Sequence, residues 1–438
     1  AATGVEFPLP DEPALLKQAF AEGLYRIAAS ARVVLAIDGL NQLEDREGAP
    51  DLSWLPPRVP DAVRLVLTTL PGRPLDEARR RGWAELEVAP LGAAERERLI
   101  AEYLASFAKS LPTDLAARIA ASPQAGSPLF VRVLLDELRV VGEHAGLATA
   151  VDRYLSAREP DDLYELVLER WERDYERDHP GLVGAALAAL WASRRGLSEA
   201  ELLAVLGGGR PLPRAVFSPL YLAARHSLVT RSGLLGFAHD FLRKAVADRY
   251  LTAEGAREAA HARLAAHFGA LGHKNPRALE EYPWQLARAG DWAALHGVLT
   301  DMKWLISIST RSDLDLRRYW AQLEAGSSFR MTKSYGSALR ALLRDTAATQ
   351  VIANLLGRTG HLEEALSYRK ALGWAHLLSG NALGVSAQRN DQAIVRLSQG
   401  AYAEAERQLL EAERQFRKSG NQRLVATSLN NRAMVLTA

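Results

Sequence analysis

Residues 32–44 read Arg32-Val33-Val34-Leu35-Ala36-Ile37-Asp38-Gly39-Leu40-Asn41-Gln42-Leu43-Glu44. Val33 to Ile37 is an unbroken apolar run with three β-branched residues, and it stops at an acid. A continuous run, as opposed to an alternating one, predicts a parallel strand buried on both faces. Asp38 then stands at the strand's carboxyl end. Before it, Leu15, Leu16, Phe20, Leu24 and Ile27 have helical spacing over residues 11–30. After it, Val63 to Thr69 predicts a second strand, ended by the breaker Pro71-Gly72, and Glu85 to Val88 a third, shorter one. Strands alternating with helices make the opening segment part of a parallel α/β sheet.

From Ala93 the pattern is helical: Leu91–Phe107, Pro128–Val141, the strongly charged 161–178, and two helices within 182–205. Ser198 with Glu201 three residues on has capping-box spacing. The polar face of 161–178 is expected to be solvated. Ser227 to Thr230, then Gly233, then Leu234 to Phe237 predicts a hairpin, and a helix follows over 240–251. Three helices and a hairpin are in winged-helix order. Beyond about residue 273 all is helical, and a repeat recurs at an offset of 40 residues. Gly360 matches Gly400, Ala365 matches Ala405, Ser379-Gly380-Asn381 matches Ser419-Gly420-Asn421, and Asn390 matches Asn430. Small residues such as Ala365, Ala405 and Ala412 are expected where helices touch. Trp284, Trp292 and Trp304 are expected to fill the core between helices.

The 438 residues suggest about three domains at roughly 150 residues each. Hydrophobic residues at 48% and charged ones at 24% make the composition globular. No apolar run is long enough to span a bilayer, so no membrane partner is expected. The net charge of +2 argues against a dedicated nucleic-acid binder. The absence of Cys excludes disulfides, thiolate metal sites and a cysteine nucleophile, and suits a cytoplasmic location. No Gly-x-Ser-x-Gly elbow and no histidine pair at metal-ligand spacing occurs. Basic residues are mostly Arg, as in chains from GC-rich bacteria. The start at Ala1-Ala2-Thr3 and the end inside a repeat at Ala438 lead us to expect a segment of a longer protein.

Asp38 is the strongest local chemical signal. An acid at the carboxyl edge of a parallel sheet can hold Mg²⁺, through water, beside a nucleotide's phosphates. Asn41 and Gln42 can orient a water, and Glu44 is a candidate base. The plainer alternative is a strand followed by a polar turn. Further on come Leu67-Thr68-Thr69-Leu70-Pro71-Gly72, Gly126-Ser127-Pro128 opening a helix, and Phe237-Ala238-His239-Asp240 after the hairpin.

In that order and spacing the chain resembles the STAND class of signalling NTPases, in the NACHT/NB-ARC branch and close to nephrocystin and telomerase-associated modules. The resemblance implies a mostly α, multidomain fold: part of a P-loop-type α/β domain over 1–92, a helical lid over 93–160 and a winged helix over 161–272. A helical linker over 273–350 and a tetratricopeptide-like α-solenoid over 351–438 follow. It implies ATP/ADP and Mg²⁺ as cofactors, with Asp38 as the Walker B acid and metal residue, and Thr68 or Thr69 as the sensor of the γ-phosphate. Gly126 and Pro128 would be the lid motif near adenine, and His239 the histidine on the β-phosphate of ADP. For Gly126–Pro128 an ordinary helix start explains the residues equally well. For His239 the alternative is a polar residue at a helix N-terminus with Asp240 in the first turn.

The chain departs from the family in two respects: Asn41 and Gln42 stand where many NACHT proteins place acids, and no Gly-x-x-x-x-Gly-Lys-Ser/Thr occurs, with no Lys following a Gly. ATPase activity therefore requires a phosphate-binding loop upstream. The resemblance implies a switch that senses a ligand through its repeats, self-associates and drives an effector, in bacterial chains often for antiphage defence. A STAND-type transcription regulator, or a repeat scaffold with an inactive NTPase, remain alternatives. DNA reading is disfavoured, because residues 212–226 offer only Arg214, Arg225 and His226. For a protein or peptide partner, the first helices of the repeats (about 350–358, 386–398 and 427–437) offer Asn354, Arg358, Arg389, Asn390, Arg396, Asn430, Asn431 and Arg432. Asn donates and accepts, and Arg forks onto carboxylates. A merely solvated polar surface is the alternative there.

Overall fold

The computed structural model describes residues 13–43, 45, 48–141, 146–336 and 345–437. The chain forms two compact units, Ala1–Ala89 and Pro90–Ala438, and is mostly helical. Among the described residues no helix is long and apolar enough to cross a membrane.

In the first unit the helix Pro13–Ala28 precedes β1 (Val33–Ile37), which pairs in parallel with β2 (Val63–Leu67), Val33 opposite Val63 and Ile37 opposite Leu67. The helix Arg73–Arg80 follows. The core is Leu40, Leu52 and Leu55, packed by Phe20, Ile37, Trp54, Leu65, Leu67 and Trp83.

Two expectations are corrected here. The strands are not buried on both faces: exposure alternates, and Val34 and Val66 are 71% and 52% exposed. Successive side chains point to opposite faces, and the core lies on one face only. Glu85 to Val88 forms no strand, and Leu86 and Val88 are almost wholly exposed. An extended segment becomes a strand only by pairing its backbone. Here Glu85 is instead held by the Arg79 guanidinium at 2.7 and 2.8 Å.

In the second unit one hydrophobic core runs from Ile100 to Phe268. It unites the helices Ala93–Ala105, Thr113–Ala121, Pro128–Leu138, Leu147–Leu155, Pro160–Tyr175, Leu182–Ala192, Glu199–Gly207 and Arg214–Ala224. Antiparallel β3 (Leu228–Arg231) and β4 (Leu234–Phe237) and the helices Asp240–Tyr250 and Ala256–Leu271 complete it. Ser198 accepts from Glu201 N and donates its own N–H to the Glu201 carboxylate, the reciprocal cap expected from the sequence.

The charged helix Pro160–Tyr175 is not a simple solvated face. Its Leu163, Tyr164, Val167, Leu168 and Trp171 are buried, and so is Arg170. The Arg170 guanidinium forks onto buried Glu137, which also accepts from Tyr154 Oη at 3.0 Å. Every oxygen of that buried carboxylate has a donor, which is the condition for keeping a charge inside.

A second core, Ala265 to Leu372, has Trp284, Trp292 and Trp304 packed against it as fillers. The chain then settles into paired helices: Thr346–Arg358, Leu362–Leu378, Ala382–Ser398, Tyr402–Lys418 and Gln422–Thr437, each packed on the next. The turns between them hold Gly360, Gly380, Gly400 and Gly420 at φ 85°, 71°, 78° and 70°. That left-handed conformation ends a helix cheaply only for glycine, so a glycine every 20 residues sets the helix length. Ala365, Ala405 and Ala412 are fully buried at the crossings, as their size predicted.

Candidate functional site

At the carboxyl edge of the parallel pair, register Ile37–Leu67 makes Asp38 and Thr68 neighbours. Thr68 Oγ1 donates to Asp38 Oδ1 and accepts from Gly39 N at 2.9 Å. Leu40 N donates to the Thr68 carbonyl at 2.9 Å. Gly39, at φ 72°, turns the chain into a short 3₁₀ turn, Leu40–Gln42. Thr69 does not reach Asp38; its hydroxyl donates to the Leu70 carbonyl at 3.0 Å. Asn41 Oδ1 lies 3.4 Å from Leu70 N, and the Gln42 side chain folds beside Gly39. Asp38, Thr68, Asn41 and Gln42 are all exposed. Glu44 lies outside the described residues.

Among the described residues no three His, Asp or Glu side chains converge on a metal position. One carboxylate with one hydroxyl is nevertheless a fitting donor set for Mg²⁺, which retains waters and takes its remaining ligands from phosphates.

In the second unit Gly126 is buried where a Cβ would lie 3.1 Å from Pro90 Cβ, and its carbonyl accepts from Leu91 N at 2.9 Å. Arg96 fastens the same loop by donating to the Leu91, Ala120 and Ser122 carbonyls at 2.8 to 3.2 Å. Pro128 is the exposed first residue of the helix Pro128–Leu138, capped by Ser127. Packing and helix initiation thus account for both residues.

His239 is the residue before the helix Asp240–Tyr250, and its ring makes no capping bond. Partial desolvation, and then the charge of Arg132, hold the imidazole below its usual pKa, with Asp240 opposing. A neutral ring near a guanidinium and a helix N-terminus can donate to an anion. Arg132 was not singled out from the sequence. Its signal was present, because it stands four residues after Pro128 on the same helix face.

The Asn and Arg residues of the paired helices are largely engaged within the array. Asn390 is not on an open groove: it is 5% exposed and accepts from Asn431 Nδ2 at 3.4 Å. Asn354 accepts from Arg369 and Gln350 at 3.1 and 3.0 Å. Arg358 pairs with Asp313, Arg389 with Glu411, Arg396 with Glu404 and Arg432 with Glu413. Asn430 is exposed. On the helix Arg214–Ala224, Arg214 is held by Glu199, while Tyr221 and Leu222 face solvent. That face is poorly suited to reading a base edge.

No family model matches the chain. It is 33% identical over 295 residues to a TPR repeat-containing protein of Dictyostelium discoideum, covering 67% of this chain and 18% of that protein. It is 28% identical over 310 residues to telomerase protein component 1 of Mus musculus, covering 62% and 12%. To the NACHT domain- and WD repeat-containing protein 1 of Mus musculus it is 28% identical over 247 residues, covering 50% and 15%. The crystal structure of a STAND protein with a tetratricopeptide repeat sensor from Pyrococcus horikoshii superposes with a TM-score of 0.48 at 13% identity, covering 97% of this chain and 68% of that one. The chain thus resembles segments of larger repeat-bearing and NACHT-bearing proteins and spans less than a fifth of the length of each of these relatives.

Proposed function

We propose that this chain works in a nucleotide-operated switch of the STAND type. The observation that carries the proposal is the Asp38–Thr68 pair at the carboxyl edge of two parallel strands, the edge at which α/β sheets take phosphates. On this reading Asp38 serves Mg²⁺ and Thr68 orients the Asp38 carboxylate. The Asn41 and Gln42 amides position water without accepting its proton. His239, with Arg132 behind it, donates to the phosphate of ADP in the resting state. Gly126 and Pro128 shape the lid, and the hairpin block serves as the winged helix.

A protein or peptide ligand on the paired helices favours the open state by its differential affinity. Self-association and an effector response follow, with antiphage defence as a use and the cytoplasm as the place. Similarity to the NACHT-bearing relative supports this reading.

A second reading is a repeat scaffold without nucleotide chemistry, which upstream residues lacking Gly-x-x-x-x-Gly-Lys-Ser/Thr would favour. Calorimetric titration of ADP and ATP into the full-length protein separates the two. The switch predicts binding that Mg²⁺ strengthens in the wild type and not in Asp38→Asn, with the melting temperature nearly unchanged. Absence of nucleotide binding, or a Mg²⁺ effect that survives Asp38→Asn, supports the scaffold.

A further inference from the structure

The helix Leu362–Leu378 buries Ala365, Leu366, Tyr368, Arg369 and Leu372, which is the stripe that holds it in the array. A second apolar stripe lies off that face. Trp374, Leu377 and Leu378 are 64%, 56% and 85% exposed. Packing does not require them, and the chain supplies its own control. Forty residues on, where Ala405 and Gly420 repeat Ala365 and Gly380, the positions of Trp374, Leu377 and Leu378 hold Arg414, Arg417 and Lys418, all exposed. The same fold is built there with three cations. An exposed Trp costs free energy in water, and Trp is enriched where partners anchor.

Trp374 does not stand on a flat surface. Lys370, Trp374 and Leu377 face Val385, Arg389 and Gln392 of the next helix across a groove of about 290 Å³. That is at the small end for a cofactor or drug-sized ligand, and it suits one or two side chains of a peptide. The charged residues of the groove are both cations. Lys370 has no ion-pair or hydrogen-bond partner among the described residues. Arg389 meets Glu411 at 3.1 Å, but both side chains are about half exposed, so the pair is weak and exchangeable.

We propose that this groove binds an acidic peptide segment, an apolar side chain seated against Trp374 and Leu377 and flanking carboxylates on Lys370 and Arg389. The binding stands on the groove alone. Its consequence, a shift of the switch, rests on the function proposed above.

The test is to pan a random-peptide phage library on the full chain without nucleotide, then measure synthetic copies of the selected peptides by fluorescence anisotropy. Trp374→Arg recreates a side chain that the fold already carries at position 414, so its melting temperature should stay at the wild-type value. Selected peptides should carry Leu, Ile or Phe beside Asp or Glu, and Trp374→Arg should weaken them at least tenfold. Lys370→Glu should weaken the same peptides and regain affinity for copies with Lys in place of Glu. Selected peptides without acids, or affinities unmoved by Trp374→Arg, would overturn the proposal. So would self-association of the wild type that Trp374→Arg abolishes, which would make a second copy the occupant. Because no nucleotide is present, failure here leaves the nucleotide reading intact, and failure of that reading leaves the groove.

Discussion

Asp38 and Thr68 stand 30 residues apart in sequence and share a hydrogen bond. The sequence alone left Thr68 and Thr69 equal, because both end the same strand. Pleating separates them, since successive side chains point to opposite faces. Only Thr68 meets the carboxylate, while Thr69 bonds to backbone. Thr68→Val should therefore weaken Mg²⁺-dependent nucleotide binding about tenfold, the value of roughly one hydrogen bond to a charged group, while Thr69→Val leaves it unchanged. Equal losses in the two variants, measured by the same titration, would contradict the assignment. The burial of Asn390 and of Arg170 was equally hidden in the sequence. A polar residue type reports preference for water, and a specific partner such as Asn431 or Glu137 can override it.

Helices and turns were legible because their signals are local. The Ser198–Glu201 cap and the glycines at 360, 380, 400 and 420 each act within a few residues. At Gly400, φ is 78°, a conformation that disfavours any side chain by about 1–2 kcal/mol. Gly400→Ala should lower the array's stability by that amount, read as a shift in its urea midpoint. A neutral result would mean that the turn relaxes to another conformation. The strands were read less well, because a strand depends on what lies beside and over it. Val33 to Ile37 reads as buried on both faces, yet its core covers one; Glu85 to Val88 reads as a third strand, yet no backbone among the described residues pairs with it. The 40-residue period was visible, but its informative break at Trp374 emerged only once exposure showed that packing does not explain it.

For the molecule as a whole, one buried and one half-buried histidine tie stability to pH. His261 is buried, its Nδ1 2.8 Å from Gln285 Oε1, in a network that includes Glu281 and the Ala192 carbonyl. Burial lowers its pKa first; Gln285 and Glu258 oppose, and Arg288 and Arg243 add to the lowering. Burial lowers His267 likewise, with Glu201 opposing and Arg277 assisting. Their folded pKa values lie below the unfolded value of about 6.5, so this stabilisation is present above that pH and is lost as pH falls through the folded values. Burial raises Glu281, the opposite case: its contribution is present at low pH and lost as pH rises through its folded pKa. Melting temperature should therefore fall as the pH drops below about 6.5, with a shallower fall in His261→Gln and a steeper one in Glu281→Gln. Identical profiles in all three proteins would contradict the signs. In a switch of this kind bound ADP holds the closed, unassembled state that ligand and ATP release, and sedimentation velocity of the full-length protein with ADP or ATP measures that hold directly. The protein should sediment as a monomer with ADP and as a larger species with ATP, and His239→Ala should assemble even in ADP, since loss of one clamp bond shifts the balance about ten- to a hundredfold. Sedimentation indifferent to the nucleotide, with His239→Ala matching the wild type, would contradict it.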